Sequence, residues 1–139
     1  MQIRKMTIID YERVYQLWTD TPGMGMRSVD DSKEGIAKYL NRNPETCFIA
    51  ESQNKIIGVI LSGHDGRRGY IYHTAVSDAA RKQGIGTALL NTAIEALKKQ
   101  GINKAALVAF GTNKLGNSFW ESQGFSERND LVYRNKDLR

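Results

Sequence analysis

The amino-acid sequence predicts a mixed α/β fold, in which a central sheet carries helices on both faces. The first observation is the order of the apolar patterns along the chain, which indicates β-α-α-β-β-β-α-β-α-β, with room for one more strand near the end. The second is size, because 139 residues that are 40% hydrophobic suit one domain with a single sizeable core. We therefore expect one domain over residues 1–139.

Each predicted element rests on a local pattern. Strands are the runs rich in Val, Ile, Tyr and Thr, and helices are the runs whose apolar residues recur every three or four positions. Asp10 is a candidate N-cap for the first helix, acids open the second, and Pro44 stops it. The last two helices end at Gly101 and Gly124, as C-caps favour. The predicted elements are a strand at 1–7, helices at 10–18 and 30–43, strands at 45–52, 55–63 and 70–76, a helix at 87–101, a strand at 103–110, a helix at 113–124 and a strand at 130–135.

Charge is distributed unevenly between the two halves of the chain. Residues 1–65 carry 8 Lys and Arg against 9 Asp and Glu, whereas residues 66–139 carry 12 against 6. A basic C-terminal half attracts phosphate groups, either of a small cofactor or of nucleic acid. No basic stripe interleaved with aromatic residues accompanies it, so we expect no nucleic-acid partner.

Cysteine and histidine are too sparse for a disulfide framework or a metal site. Cys47 is the single cysteine and lies in an apolar run, where it is expected to be a core residue. His64 and His73 lack a second ligand at metal spacing and are expected to be turn and packing residues, so no metal is expected. The apolar runs are too short to span a membrane and the N-terminus lacks a signal-peptide core, which predicts a cytoplasmic protein without a membrane partner.

The stretch "AARKQGIGTALL" at 79–90 raises the question of a phosphate site. A P-loop requires Lys directly after its last glycine, and Gly86 is followed by Thr87. A dinucleotide fingerprint starts almost directly after its strand, whereas seven residues separate Val76 from Gly84. What remains is a wide basic loop that leads into a helix N-terminus, where free amides and the helix dipole attract an anion. Glycine at 84 and 86 lets a phosphate approach the backbone.

Two motifs in this sequence resemble those of the GCN5-related N-acetyltransferases. The first is Q/R-x-x-G-x-G/A, filled here by Arg81, Gly84 and Gly86, and the second is the helix "NKLGNSFWESQGF", which keeps Asn113 and the final Gly-Phe pair. The resemblance covers essentially the whole chain. It implies the acyl-CoA N-acyltransferase fold, with a mostly antiparallel central sheet of six to seven strands, and an enzyme that moves an acetyl group from acetyl-CoA to a primary amine.

The resemblance also implies which residues hold acetyl-CoA. The main chain of the strand end would bind the pantetheine arm, and the glycine loop would bind the pyrophosphate. Asn113 would contact the cofactor from the other wall, although it is also a candidate helix N-cap. The implied cofactor-binding residues are Thr74, Ala75, Val76, Arg81, Lys82, Gln83, Gly84, Ile85, Gly86, Thr87, Asn113 and Trp120.

The resemblance implies catalytic roles at the positions of Thr74, Tyr70 and Tyr72, and the sequence offers Tyr133 as a further catalytic candidate. The Thr74 amide would polarise the thioester carbonyl. Strict strand alternation places Tyr70, Tyr72, Thr74 and Val76 on one face and turns His73 away. Relatives carry Glu or His bases where this chain has Tyr70 and Tyr72, so a water chain lined by these hydroxyls is the expected proton route.

Position 120 departs from the family pattern. Many members have a tyrosine there that protonates the leaving thiolate, and Trp120 cannot serve as an acid. Either the thiolate leaves unassisted, or Tyr133 donates the proton unless it is only a packing residue. The first rival function is a non-catalytic acyl-CoA sensor, and the second is a nucleic-acid binding module. The acceptor site would adjoin the loop at 19–31, in which Met24 and Met26 form either an adaptable lid or an anchor on the core. The identity of the amine and the presence of a homodimer stay open.

Overall fold

The structure is a computed structural model that describes residues 1–26 and 29–139. Two compact units divide the chain, Met1–Val108 and Ala109–Arg139. The first unit contains the sheet and three helices, and the second contains one helix. In chain order the elements are β1 (Gln2–Lys5), α1 (Tyr11–Thr19), α2 (Lys33–Arg42), β2 (Phe48–Ser52), β3 (Lys55–His64), β4 (Gly69–Val76), α3 (Ile85–Lys99), β5 (Ala105–Ala106) and α4 (Lys114–Ser122).

The sheet has the order β1-β2-β3-β4-β5, with antiparallel pairs throughout except for the parallel pair β4–β5. This confirms the mixed, mostly antiparallel α/β class. The predicted number of six to seven strands is wrong for the described residues, which form five. The predicted strand at 103–110 shrinks to Ala105–Ala106, and no strand forms at 130–135. Leu131, Val132 and Tyr133 are each at least 60% exposed, so their alternation is not supported by burial of one face.

Helices α1 and α2 cover one face of the sheet. Their apolar side chains form a buried cluster with Ile49 of β2 and with Val59 and Leu61 in the middle of β3. Val14 and Trp18 of α1 are completely buried against it, as the helical spacing predicts. Met24 and Met26 pack on the same cluster, so these two residues anchor their segment on the core. The predicted loop at 19–31 includes residues 27 and 28, which lie outside the described residues.

Helix α3 covers the opposite face. It contacts β2, β3 and β4, and its buried residues Leu89, Leu90 and Ala93 meet the side chains that alternate away from α1. Gly58 of β3 allows α3 to approach closely, because a Cβ there would lie 2.8 Å from a methyl carbon of Leu89. The predicted arrangement of helices on both faces is therefore confirmed.

Helix ends follow the predicted chemistry with one exception. The Ser32 hydroxyl caps α2 by accepting the Gly35 amide at 3.0 Å. Asp10 does precede α1, but its side chain does not cap that helix. Its carboxylate instead accepts two hydrogen bonds from Arg4, at 2.8 and 2.9 Å, and one from the Thr7 amide at 2.9 Å. Asp10 thus fixes the connection between β1 and α1.

Candidate active site

A β-bulge in β4 organises the centre of the sheet. Val59 pairs with Ala75 and Leu61 pairs with Tyr72, so the two residues His73 and Thr74 oppose the single Ile60. The bulge shifts the alternation of β4 by one position. The side chains of Tyr72 and Ala75 therefore both face the helices α1 and α2, although an odd number of positions separates them.

The bulge also brings His73 to the α1 side of the sheet. Its ring lies 5.1 Å from the Trp18 ring, and its Nε2 lies 2.7 Å from the Asp31 carboxylate. The Trp18 indole N–H donates to the His73 carbonyl at 3.2 Å, and the Tyr11 hydroxyl donates to the Asp31 carbonyl at 2.6 Å. The predicted orientation of His73 away from Tyr72 is wrong, because the inserted residue interrupts the period of two.

The predicted orientation of Val76 is also wrong, because the bulge moves its side chain to the other face of the sheet. Val76 pairs with Gly58, the residue that α3 approaches, so Val76 lies on the α3 side of the sheet. Tyr70 and Tyr72 do share a face, as predicted, because they pair with Gly63 and Leu61 before the bulge. The predicted row of four residues on one face is therefore broken after Tyr72.

Tyrosine rings from two elements meet on the α2 side of β4. Tyr72 lies 4.6 Å from Tyr70 and 5.7 Å from Tyr39 of α2, measured between ring centroids. The Tyr39 hydroxyl is buried and has no hydrogen-bond partner among the described residues. Burial, with smaller contributions from Cys47 and Tyr72, raises the pKa of Tyr39 far above its ordinary value. Tyr39 was not among the candidates from the sequence, because nothing local to α2 indicates its approach to β4.

These tyrosines line a cavity of about 390 Å³, within the usual range for small-molecule sites. Its floor includes Gly63, where a Cβ would lie only 2.5 Å from the Tyr39 hydroxyl. The other lining residues come from α2, the turn between β3 and β4, and the start of the β4–β5 pair: Asn43, His64, Asp65, Arg68, Gly69, Lys104, Ala105 and Ala106. The cavity therefore lies at the start of β4 and belongs entirely to the first unit.

The far end of β4 extends past β5. The parallel pair joins Gly69 to Ala105 and Tyr70 to Ala106, and β5 ends there. Thr74, Ala75 and Val76 follow four or more residues later along β4. Ala75 is buried, whereas Thr74 and Val76 are half-buried. This end of β4 therefore continues beyond its short parallel neighbour.

The glycine loop follows directly and leads into α3. Lys82 and Gly84 both adopt left-handed backbone conformations, with φ of 64° and 76°. Arg81 turns back toward β4: its Nε approaches the Val76 carbonyl at 3.4 Å, and its guanidinium pairs with Asp78 at 3.2 Å. Lys82 and Gln83 are exposed at the apex of the loop.

The N-terminus of α3 presents the amides that an anion requires. Gly84 is the N-cap residue, and the first backbone bond of the helix joins the Ala88 amide to the Gly84 carbonyl at 3.0 Å. The amides of Ile85 and Gly86 precede that bond and have no acceptor within the helix. No heavy atom lies within 4 Å of the position that a Cβ on Gly84 would occupy. The loop residues 81–87 thus fit a phosphate group, with amides, a dipole and open space in one place.

The second unit contains the remaining candidates from the sequence. Asn113 caps α4 through its side-chain oxygen, which accepts the Gly116 amide at 3.0 Å. Trp120 is half-buried, with its ring 5.0 Å from Phe119 and 5.5 Å from Phe125. Tyr133 is 66% exposed and lies outside any strand. The N-cap interpretation of Asn113 is therefore confirmed, and its amide nitrogen is not used by the cap.

Other classes of site find little support in the described chain. Within residues 1–26 and 29–139, no three His, Cys, Asp or Glu side chains come together as a metal site would require. None of the helices described is long and apolar enough to cross a bilayer. His64 accepts the Gly66 amide through Nδ1 at 2.9 Å, which is the turn role that the sequence predicts.

The bulged β4 extends past its parallel neighbour and leads into a glycine loop at a helix N-terminus, an arrangement that can hold a ligand with phosphate groups. The sequence profile of the acetyltransferase (GNAT) family matches residues 11–125. The chain therefore belongs to the GNAT family, whose co-substrate is acetyl-CoA.

Individual relatives agree with this assignment. An acetyltransferase of Sodalis glossinidius (strain morsitans) is 29% identical over 138 residues, which cover 99% of this chain and 96% of that protein. The PaiA N-acetyltransferase of Thermoplasma acidophilum, solved in complex with coenzyme A, superposes with a TM-score of 0.78 at 23% identity, covering 90% of this chain and 89% of that one. An aminoglycoside 6′-N-acetyltransferase of Acinetobacter haemolyticus superposes with a TM-score of 0.78 at 19% identity over the full length of both chains.

Proposed function

We propose that this protein transfers the acetyl group of acetyl-CoA to a primary amine, by direct attack of the amine in a ternary complex. The observation that carries the proposal is the glycine loop at residues 81–87, which leads from β4 to the N-terminus of α3. Family membership supports the acetyl donor, and the names of the N-acetyltransferases among the structural neighbours support an amine acceptor.

The chain would bind the donor mainly through its backbone. The amides of residues 85–87, with Arg81 and Lys82 as auxiliary cations, would hold the pyrophosphate. Gln83 would close the loop over it. The main chain of Thr74, Ala75 and Val76 would pair with the amides of the pantetheine arm. In the second unit, Asn113 would contribute its free amide nitrogen and Trp120 an apolar wall.

The chemistry requires one bond to form and one to break. The amine nitrogen bonds to the acetyl carbon, the carbon–sulfur bond breaks, and coenzyme A leaves as a thiolate that takes up a proton. The Thr74 amide would donate to the carbonyl oxygen as negative charge develops there, an effect typically worth about 3 kcal/mol. The hydroxyls of Tyr70 and Tyr72 would line the water chain that removes the ammonium proton, and Tyr133 would supply the proton to the thiolate.

A second function, acyl-CoA binding without catalysis, is favoured by one specific residue. Trp120 stands where many relatives have a proton-donating tyrosine, and indole does not act as an acid. A thiolate nevertheless leaves readily without assistance because its conjugate thiol is acidic. We therefore retain catalysis as the proposal. A single catalytic domain over both units, a cytoplasmic location and an acceptor that is neither nucleic acid nor membrane complete it, and a homodimer stays open.

The decisive experiment combines acetyl-CoA with a panel of primary amines and measures the appearance of free thiol. The protein itself adds no background, because Cys47 is buried and is its single cysteine. We expect thiol release to depend on both protein and amine. Acetyl-CoA binding without thiol release across the panel would establish the sensor function instead, and nucleic-acid binding without coenzyme A binding would overturn both.

A further inference from the structure

From the cavity at the start of β4, we infer that the acceptor is an amine that also carries an anionic group, a carboxylate or a phosphate. This inference rests on the proposed function and specifies its substrate class. The cavity has two chemically different parts: a wall of tyrosine rings from Tyr39, Tyr70 and Tyr72, and a rim that carries Arg68 and Lys104.

The backbones of Arg68 and Lys104 are neighbours because of the strand pairing. Gly69 pairs with Ala105, and the Gly69 amide donates to the Lys104 carbonyl at 2.8 Å. Arg68 and Lys104 therefore directly precede the first residues of two neighbouring parallel strands. Neither the Arg68 guanidinium nor the Lys104 ammonium pairs with a carboxylate among the described residues. Both side chains line the cavity and are exposed. They therefore offer two positive charges at the rim of one cavity to an incoming anion.

The carboxylate that lines the same cavity has a structural role in the turn. Asp65 accepts the amides of Arg68 and Arg67 through one oxygen, at 2.9 and 2.8 Å. These two hydrogen bonds hold the pKa of Asp65 below its ordinary value. The cavity lining therefore contains one carboxylate, Asp65, against the two cations Arg68 and Lys104. The Asp65 carboxylate already accepts two backbone hydrogen bonds within the turn. A polycation such as an aminoglycoside or a polyamine would meet net repulsion at this rim.

The tyrosine wall suits the other end of such an acceptor. Aromatic faces attract an ammonium group, and the buried Tyr39 hydroxyl still has an unused hydrogen-bonding capacity on this wall. Tyr70 and Tyr72 lie on β4, the strand whose later residues would hold the thioester. An amine that rests on the tyrosines while its anion contacts the rim would be oriented along β4. The geometry thus favours a small zwitterionic acceptor.

The test compares acceptors that differ in the anion and not in the amine. The pairs are 4-aminobutyrate with butylamine, and phosphoethanolamine with ethanolamine, and spermidine represents the polycations. With the full chain and saturating acetyl-CoA, we expect kcat/KM at least about tenfold higher for the anionic member of one pair. The pair that shows the preference distinguishes a carboxylate from a phosphate.

Variants connect the preference to the rim. Arg68→Gln and Lys104→Gln should each lower kcat/KM for the anionic member by about threefold to tenfold through KM, and leave the neutral amine unchanged. Arg67→Gln is the matched control. It removes the same charge from the neighbouring residue, whose side chain does not line the cavity. Equal loss in Arg67→Gln and Arg68→Gln would overturn the inference.

The two proposals fail in different ways. Equal kcat/KM within both pairs, or preference for spermidine, would overturn the anionic acceptor and leave the N-acetyltransferase proposal intact. If no amine releases thiol, the N-acetyltransferase proposal fails, and calorimetric titration of the same pairs against the coenzyme A complex decides the inference. Heat from the anionic member in the wild type and Arg67→Gln, but not in Arg68→Gln, supports the anion site, and any other pattern rejects it.

Discussion

Gly84 and Gly101 occupy opposite ends of α3 and permit a matched test of the glycine loop. Their φ angles are 76° and 80°, and no heavy atom lies within 4 Å of a Cβ built on either residue. Alanine at either position must adopt the left-handed conformation, which costs roughly 1–2 kcal/mol. For a chain of this length, that loss lowers Tm by roughly 3–6 °C. Gly84→Ala and Gly101→Ala should therefore be destabilised equally.

Coenzyme A binding should separate the two variants. The methyl group of Gly84→Ala enters the open space before the α3 amides, where the pyrophosphate would lie. The methyl group of Gly101→Ala points away from the other end of the helix into solvent. We expect Kd for coenzyme A to rise more than about tenfold in Gly84→Ala, a loss of about 1.4 kcal/mol, and to stay unchanged in Gly101→Ala.

Calorimetric titration measures both dissociation constants, and thermal unfolding without ligand checks that the two variants are equally folded. The shift in Tm at a fixed coenzyme A concentration gives an independent reading, because stabilisation by a ligand follows its Kd. Equal affinity in the two variants would refute the assignment of residues 81–87 as a phosphate site. The left-handed conformation of Gly84 would then serve only to turn the backbone into α3.

Three further predictions concern the interior of the first unit. Burial raises the pKa of Asp10, but the hydrogen bonds from Arg4 and the Thr7 amide outweigh it and leave the pKa below its ordinary value. Asp10→Asn should therefore lower the free energy of unfolding by about 2–3 kcal/mol near pH 7. The difference from wild type should vanish as the pH falls below the pKa of Asp10 in the folded protein. A difference in the free energy of unfolding that grows in acid would contradict this. Cys47 is buried and its pKa is raised to about 12, so thiol reagents at pH 8 should label it only in denaturant, and rapid native labelling would exclude the packing described. A double-mutant cycle on Asp31→Asn and His73→Gln should give a coupling of about 1–2 kcal/mol in chemical denaturation, and a coupling below about 0.3 kcal/mol would mean that the pair adds no stability.

Local patterns in the sequence were enough to predict most of the framework. The apolar spacing of α1 and α3, the Val, Ile, Tyr and Thr content of the strands, and the glycine loop are properties of neighbouring residues, and each appears where expected. The Asn113 cap followed from the same local rules. The strand at 130–135 failed because alternation predicts a strand only where another strand pairs with it and one face is buried.

The candidate acceptor cavity depended on information that local patterns do not contain. Its wall joins Tyr39 of α2 to Tyr72 of β4, and only the packing of α2 on the sheet brings these residues together. The His73–Asp31 pair was missed for a second reason: a bulge depends on the registration of two strands, which is not readable from one. The roles of Tyr70, Tyr72 and Tyr133 in proton transfer remain predictions.

The bulge in β4 also constrains how this chain can change length. Deleting one residue between Tyr72 and Ala75 would restore regular pairing with β3 and leave a longer uninterrupted ladder. The same deletion would remove either the imidazole that meets Trp18 and Asp31 or the amide proposed to contact the thioester. A more regular strand would therefore lose one of these two groups, so insertions and deletions should be selected against in the few residues that follow Tyr72.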